Sequence, residues 1–167
     1  SVLLSSTYRM SSKADKRAEF IDPENKLVHH MSVKRLEGEV IRDSILAASG
    51  ELDRTLFGPS LTPYISKHQI GRGRPPSGPL DGGGRRSIYI EVRRNFLMPM
   101  FLTFDYPLPI STIGKRSLST VPSQALLLMN NKFVALSARR WAQKLMKFET
   151  HTLRRVEKMY VSAFGRL

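Results

Sequence analysis

The chain contains no cysteine, which excludes disulfide bonds, cysteine-ligated zinc and covalently attached haem c within these 167 residues. It also lacks any apolar run near the roughly 20 residues needed to cross a bilayer, so we expect no transmembrane segment. Acidic residues are scarce as well: 14 Asp and Glu against 27 Lys and Arg give a net charge of +13. Such an excess attracts polyanions without identifying them.

The positive charge is concentrated in one half of the chain. Residues 1–84 contain 12 basic and 10 acidic residues, whereas residues 85–167 contain 15 basic and 4 acidic residues, a net charge of +11. A one-sided excess speeds encounter with an anionic partner. Nucleic acid, sulfated glycan, an anionic membrane and an acidic neighbouring domain are all compatible with this pattern.

The apolar spacing predicts a mainly α fold with a small β element. A chain of this length that is 41% hydrophobic can form one domain, which we place at residues 1–167. In one helix, Leu36, Val40 and Ile45 are expected to face inward; in the helix after Asn131, Val134, Trp141 and Phe148 are. The predicted helices span 33–49, with Ser32 as N-cap and Gly50 as stop, then 122–130, then 134–148 after the cap Asn131, and 152–164 before Gly165.

Two segments are predicted to lack helix. Residues 58–84 are rich in glycine and proline, which cannot hold a regular helix, and we expect a long loop there. Residues 87–92 alternate apolar and polar side chains, which is typical of a half-buried strand. The segment 116–121 is its expected partner. The predicted fold is therefore a helical domain with a long Gly/Pro-rich loop.

Adjacent basic residues follow the predicted strand. Two arginines beside an amide suit a carboxylate, sulfate or phosphate, because Arg can bind such groups through two parallel hydrogen bonds. The alternative is that one arginine pairs with Asp105 or Glu91 while the amide holds the turn. With basic residues from the next loop and the outer helix face, the candidate anion-binding residues are Arg93, Arg94, Asn95, Lys115, Arg116, Arg139 and Arg140.

The sequence assigns no catalytic group and no metal site. Its carboxylates are scattered, and an acid–base pair requires closeness in space. For Asp43 we expect a salt bridge to a basic residue. The adjacent His29 and His30 are expected on different helix faces, unsuited to joint metal binding, and zinc usually needs three or four ligands. We therefore lean towards a chain that is not an enzyme.

Several motifs in fixed order carry a resemblance to a known family. Gly-Gly-Arg-Arg-Ser begins the central block at 83–95 and Arg-Arg-Asn ends it. These motifs resemble the planctomycete domain of unknown function 1553 over nearly the whole chain, a family without an assigned activity. The other motifs are Phe-Asp-Tyr-Pro at 104–107, Pro-Ser-Gln-Ala-Leu at 122–126 and Asn-Asn-Lys-Phe-Val at 130–134, with flanking matches at 7–12, 22–25, 42–46 and 164–166.

The resemblance implies the C-terminal module of large secreted proteins that also carry cytochrome-c-like domains. It therefore implies a secreted, periplasmic or cell-envelope location, with upstream domains of the same polypeptide as partners. Haem c would belong to the upstream part, and no cofactor to this chain. Because the family's domain extends past both ends of the sequence, we expect a fragment truncated at both ends. Apolar surface should then be exposed near Leu3, Leu4 and the last helix.

Three functional hypotheses from different classes follow. The preferred one is a non-catalytic structural or binding module, for which charge alone suggests polyanionic polysaccharide as the ligand. The second is a nucleic-acid-binding protein that uses the basic C-terminal half. The third is a hydrolase acting on anionic sugars, with Asp105 and Arg94 in its site.

Overall fold

The structure is a computed structural model that describes residues 2–165. The prediction of a mainly helical fold is confirmed. The residues cluster in two compact units, Ser1–Arg35 and Leu36–Leu167, while a single domain over 1–167 stays a prediction. The α-helices are α1 (Lys16–Ile21), α2 (Gly38–Ser49), α3 (Pro99–Thr103), α4 (Pro122–Asn130), α5 (Lys132–Phe148) and α6 (Thr152–Phe164).

The smaller unit is built around α1 and the turn that follows it. Asp15 caps the helix, its carboxylate accepting from backbone amides of the first turn. Asp22 lies just after α1 and is buried. Its carboxylate accepts from the amides of Lys26 at 2.9 Å and Leu27 at 2.7 Å. These bonds close a turn where the chain leaves the helix.

The start of α2 differs from the prediction. The helix begins at Gly38 instead of Val33, and Ser32 is not its N-cap, because the Ser32 hydroxyl accepts from Asn25 Nδ2 at 3.2 Å. A Cβ on Gly38 would lie 3.1 Å from the Cα of Phe101. The glycine therefore allows the close approach of α2 to α3.

The end of α2 is as predicted, but its buried face is only partly so. Gly50 follows the helix with a φ of 72°, the left-handed conformation expected of a C-terminal glycine. Of the predicted inward residues, Leu36 and Val40 are 52% and 44% exposed, whereas Ile45 is half-buried and packs against the core. The buried face instead consists of Gly38, Arg42, Leu46 and Ser49.

The prediction of a strand at 87–92 is wrong. Ser87–Tyr89 forms a single 3-10 turn, and the pairing is limited to an isolated parallel bridge between Ile90 and Leu61. The predicted partner segment 116–121 is held elsewhere, since Ser119 binds Asp105. The alternating pattern therefore predicted the wrong conformation for this segment, because a buried hydrogen-bond network at Ser87 determines it instead.

The core lies where α2, α3 and α5 meet. Leu46, Met100 and Phe133 form its centre, each at most 3% exposed. The apolar residues Phe96 to Met98, just before α3, are also buried. Helix α4 packs on both α3 and α5, so the central block of the chain forms one packed body.

Residues 58–84 contain no α-helix and end in a 3-10 turn, Gly82–Gly84. The segment is nevertheless bonded to the rest of the larger unit, since the Leu61 amide donates to the Tyr89 carbonyl at 2.7 Å. Ile65 is buried, and its amide donates to the Ser77 hydroxyl at 3.0 Å. The Gly78 amide donates to the Pro63 carbonyl at 2.9 Å, so two stretches of this segment lie side by side.

Helices α4 and α6 have the predicted bounds, whereas α5 ends at Phe148 as predicted but begins at Lys132, two residues before the predicted start. Asn131 caps α5 by accepting from the Phe133 amide at 2.8 Å, and Gly165 ends α6 with a φ of 68°. The predicted inner face of α5 is only partly correct, because Trp141 is half-buried and Phe148 is 75% exposed.

Exposed apolar side chains occur where they were predicted. Leu3 is 61% and Leu4 is 74% exposed. In α6 no residue is buried, and Leu153 and Tyr160 are 77% and 53% exposed. Truncation itself stays a prediction. Within residues 2–165, no helix is both long and apolar enough to span a membrane.

Candidate functional site

A fully buried arginine organises the centre of the molecule. Arg42 lies on the inner face of α2 and is 0% exposed. Its Nη1 is 3.1 Å from an Asp43 carboxylate oxygen and donates to the Ser87 hydroxyl at 3.0 Å and the Arg85 carbonyl at 2.9 Å. Its Nη2 donates to the Asp81 carbonyl. One guanidinium therefore ties α2 to the segment 81–87.

Asp43 completes this network. Its carboxylate accepts from the Ser87 amide at 2.8 Å and lies 2.7 Å from the Ser87 hydroxyl oxygen. Burial lowers the pKa of Arg42, and the charge of Asp43 opposes that effect. The salt bridge expected for Asp43 is confirmed. The sequence analysis missed Arg42, although its position four residues before buried Leu46 places both on one helix face.

A cavity of about 360 Å³ lies beside this network. Three carboxylates line it, those of Glu39, Asp43 and Glu91, together with Tyr106. Most of the remaining lining is apolar and includes Phe101. We call this the acidic cavity.

Each carboxylate of the acidic cavity has a cationic partner within the fold. Asp43 bonds to the buried arginine described above. Glu39 forms an ion pair with Arg116 at 2.8 Å, and Glu91 forms one with Arg93 at 2.9 Å. The alternative explanation of Arg93, pairing with Glu91, is thus confirmed. The charges of this cavity are satisfied internally.

The pKa of Tyr106 reflects the environment of the acidic cavity. Burial raises the pKa of its phenol, and the negative charge of Glu39 raises it further. The Arg116 guanidinium lies 5.3 Å from the ring centroid and opposes the shift. The phenol therefore ionises less readily than it would in water.

Arg116 and Arg140, both predicted anion ligands, are held by acidic residues at opposite ends of α2. Arg116 is also 2.8 Å from Glu37, which precedes the helix. Arg140 is 2.8 Å from Glu51, which follows it. Because 12 residues of α-helix span about 18 Å, the two arginines lie near separate ends of α2.

The remaining predicted residues are not engaged in this way. Arg94, Asn95, Lys115 and Arg139 are exposed, and none forms an ion pair within the part of the chain that the structure describes. Arg94, Lys115 and Arg139 therefore present charge to solvent. In residues 85–165 the exposed cations without an ion pair are Arg86, Arg94, Lys115, Lys132, Arg139, Lys144, Lys147 and Arg154.

A second cavity, of about 350 Å³, has the opposite charge. Lys67, His68 and Lys132 line it, and no acidic residue does. We call this the basic cavity. Sequence reasoning missed it, because Lys67 and Lys132 lie 65 positions apart and only the tertiary fold brings them together. Its other lining residues are Tyr64, Ser66, Leu80, Met98, Pro99, Met100, Asn131 and Phe133.

The third hypothesis places Asp105 in a hydrolase site. In the structure, its carboxylate forms hydrogen bonds that stabilise the fold. Its carboxylate accepts from the Ser119 amide at 2.7 Å and from the Ser119 hydroxyl at 2.9 Å. The residue adopts a φ of 60°, in the left-handed region that Asp tolerates better than most residues. These bonds fasten the segment before α4 to the end of α3.

The histidines of the smaller unit lie together, contrary to the prediction of separate helix faces. They lie in a bend, not in a helix, and the Nδ1 atoms of His29 and His30 are 3.3 Å apart. Asn25 Oδ1 accepts from both backbone amides, which fixes the pair. Among the described residues, no group of three or more His, Asp or Glu could hold a metal ion.

Comparison with known proteins identifies the family of the chain. No curated protein and no solved structure is detectably similar to the chain. A family model, PSD1, described as a protein of unknown function (DUF1553), matches residues 1–167. The resemblance stated from the sequence motifs is thus confirmed, and the chain belongs to the DUF1553 family.

Proposed function

We propose that the chain is a non-catalytic binding module of a secreted or envelope-associated multidomain protein, and that its exposed cations bind polyanionic polysaccharide. The multidomain context, with haem c in upstream domains as neighbours, rests on the resemblance to planctomycete members of the family. The ligand class rests on charge. The observation that carries the proposal is the set of exposed cations without ion pairs in residues 85–165.

The outer face of α5 supports the proposal most directly. At 3.6 residues per turn, Lys132, Arg139 and Lys147 fall within about 80° of one another around the helix axis, over a length of about 22 Å. All three are exposed and lack ion-pair partners among residues 2–165. A row of like charges along one helix face matches the repeating charge of a linear polyanion.

Unpaired cations bind a polyanion at a lower energetic cost than paired ones do. An arginine already bonded to a carboxylate must lose that contact, or share it, before it can neutralise a ligand charge. An exposed unpaired cation releases only its own and the polymer's counterions. We therefore expect the unpaired set to supply most of the affinity.

A salt-dependent titration tests the proposal. Dextran sulfate, double-stranded DNA and uncharged dextran are titrated against the chain at about 50 and about 200 mM salt. We expect dextran sulfate to bind and to weaken roughly 100-fold over this range if about four charges are neutralised. Uncharged dextran should not bind.

Each alternative outcome is decisive. Absence of dextran sulfate binding at the lower salt concentration would overturn the polyanion proposal. Binding to DNA more tightly than to dextran sulfate of matched charge density would support the nucleic-acid hypothesis instead. Equal binding of charged and uncharged dextran would show that sugar contacts, not charge, provide the affinity.

A further inference from the structure

We propose that the basic cavity is a binding site for a small organic anion that has an apolar body, such as an aryl or branched alkyl carboxylate. This inference does not depend on polysaccharide binding, because the cavity shares only Lys132 with the exposed face of α5, and Lys67 and the apolar floor belong to other parts of the fold. It rests on the chemistry of the cavity's floor and rim and on the bonds that hold its wall in place.

The floor of the cavity is apolar and rigid. Met100 and Phe133 belong to the centre of the core and are each 3% exposed, and Met98 is 8% exposed. Leu80 packs against the same core cluster. Because core side chains are held at close packing, the floor exists before a ligand arrives. It offers apolar contact to a ring or branched chain.

The rim of the cavity carries positive charge that the fold does not use. Lys67 and Lys132 are exposed, and neither has an ion-pair partner among residues 2–165. The hydroxyl groups of Tyr64 and Ser66 likewise make no hydrogen bond within those residues. Two cations and two hydroxyl donors therefore remain for an anionic group.

Three specific bonds fix the wall that carries Lys67. Gln69 Oε1 accepts from the Ser66 amide at 2.9 Å, and Gln69 Nε2 donates to the Leu97 carbonyl at 2.8 Å. The Ile65 amide is bonded to the Ser77 hydroxyl at 3.0 Å. This stretch of the 58–84 segment is therefore held in place on both sides of the rim. A pre-organised rim lowers the entropic cost of binding.

The volume limits the ligand to a small molecule. About 350 Å³ lies at the lower end of the roughly 300–1,000 Å³ typical of small-molecule sites. An inorganic anion would leave the floor uncontacted, whereas an uncharged hydrocarbon would leave the lysines unused. The combination of floor and rim favours a ligand that has both parts.

The test uses phenylacetate with two matched probes, 2-phenylethanol, which lacks the charge, and acetate, which lacks the ring. Binding is followed by NMR through the methyl groups of Met98 and Met100, which line the floor. We expect phenylacetate to shift both methyl signals and to bind at least about tenfold more tightly than either matched probe.

Two variants test whether Lys67 and Lys132 bind the carboxylate of phenylacetate. The double substitution Lys67→Gln/Lys132→Gln should weaken phenylacetate binding by at least about tenfold. Lys144→Gln/Lys147→Gln is the control, since it removes the same two positive charges from exposed positions of α5, about 18 and 22 Å along the helix from Lys132. It should leave the affinity unchanged. Thermal unfolding of each variant confirms that the fold is kept, as expected for exposed lysines.

The proposal is overturned by any of four results. These are no methyl shift at the solubility limit of phenylacetate, equal binding of phenylacetate and 2-phenylethanol, equal binding of phenylacetate and acetate, or equal weakening by Lys67→Gln/Lys132→Gln and by Lys144→Gln/Lys147→Gln. None of these results depends on whether the chain binds dextran sulfate, so the two proposals fail separately.

Discussion

Two cavities of nearly equal volume share Met98 in their linings but differ in how the fold treats their charges. In the acidic cavity every carboxylate has an ion-pair partner within the fold. In the basic cavity neither Lys67 nor Lys132 has one among residues 2–165. Charge that is satisfied internally holds the fold together, whereas charge left at a surface is available to a ligand.

The largest effect should come from the network beside the acidic cavity. Replacing Arg42 with Met removes the donor to Ser87 and to two carbonyls and leaves the Asp43 carboxylate without its cation. Breaking a buried pair in this way costs roughly 3–5 kcal/mol. The free energy of unfolding from urea denaturation measures this loss.

The matched comparison is Lys132→Met, at the rim of the basic cavity. It should change the unfolding free energy by less than about 0.5 kcal/mol, because an exposed unpaired lysine contributes little to stability. A similar loss in both variants would contradict the distinction between the two cavities.

A smaller effect is expected at Trp141, although it is the only tryptophan in the chain. The sequence places it on the inner face of α5, and a fully buried Trp→Ala change costs roughly 3–5 kcal/mol. In the structure it is half-buried, so we expect Trp141→Ala to cost about 2 kcal/mol, less than the loss at Arg42. A larger loss of unfolding free energy at Trp141 than at Arg42, measured by the same denaturation, would show that packing of α5 stabilises the fold more than the Arg42 network does.

The smallest effect should be a pH dependence at Tyr106. Because burial raises its pKa in the folded chain, the folded state binds the phenolic proton more tightly than the unfolded state does. The resulting stabilisation is full below the unfolded pKa, about 10, and is lost as the pH rises through the folded pKa. Wild type should therefore lose more stability than Tyr106→Phe between pH 9 and pH 11. Parallel losses would show that Tyr106 titrates as in water.

The sequence predicted those parts of the fold that depend on local interactions. Helix α4 opens at Pro122, Asn131 caps α5 and Gly165 ends α6, since a proline at the first position, a side-chain cap and a left-handed glycine act within one turn. The start of α2 was misplaced because it is set by the contact of Gly38 with α3.

The parts that were not predicted depend on distant contacts. Residues 87–92 alternate like a strand, yet Ser87 bonds to residues more than 40 positions away. Arg42 carries a charge and so was not assigned to the core. The basic cavity joins Lys67 to Lys132 through the packing of the 58–84 segment against the core. Periodicity and composition contain none of this information.

Neighbouring residues of the sequence provide the most direct test of the central claim, that ion pairing within the fold decides which cations bind an anion. Arg93, Arg116 and Arg140 are paired, whereas their sequence neighbours Arg94, Lys115 and Arg139 are exposed and unpaired within residues 2–165. Replacing either set of three with Gln removes the same net charge.

The measurement is the slope of log affinity for dextran sulfate against log salt concentration, with thermal unfolding recorded for each triple variant. We predict that Arg94→Gln/Lys115→Gln/Arg139→Gln reduces the slope by about 2–3 and leaves stability nearly unchanged. We predict that Arg93→Gln/Arg116→Gln/Arg140→Gln reduces the slope by less than half as much and lowers stability. Equal loss of slope in the two variants would contradict the claim, because net charge alone would then set the affinity.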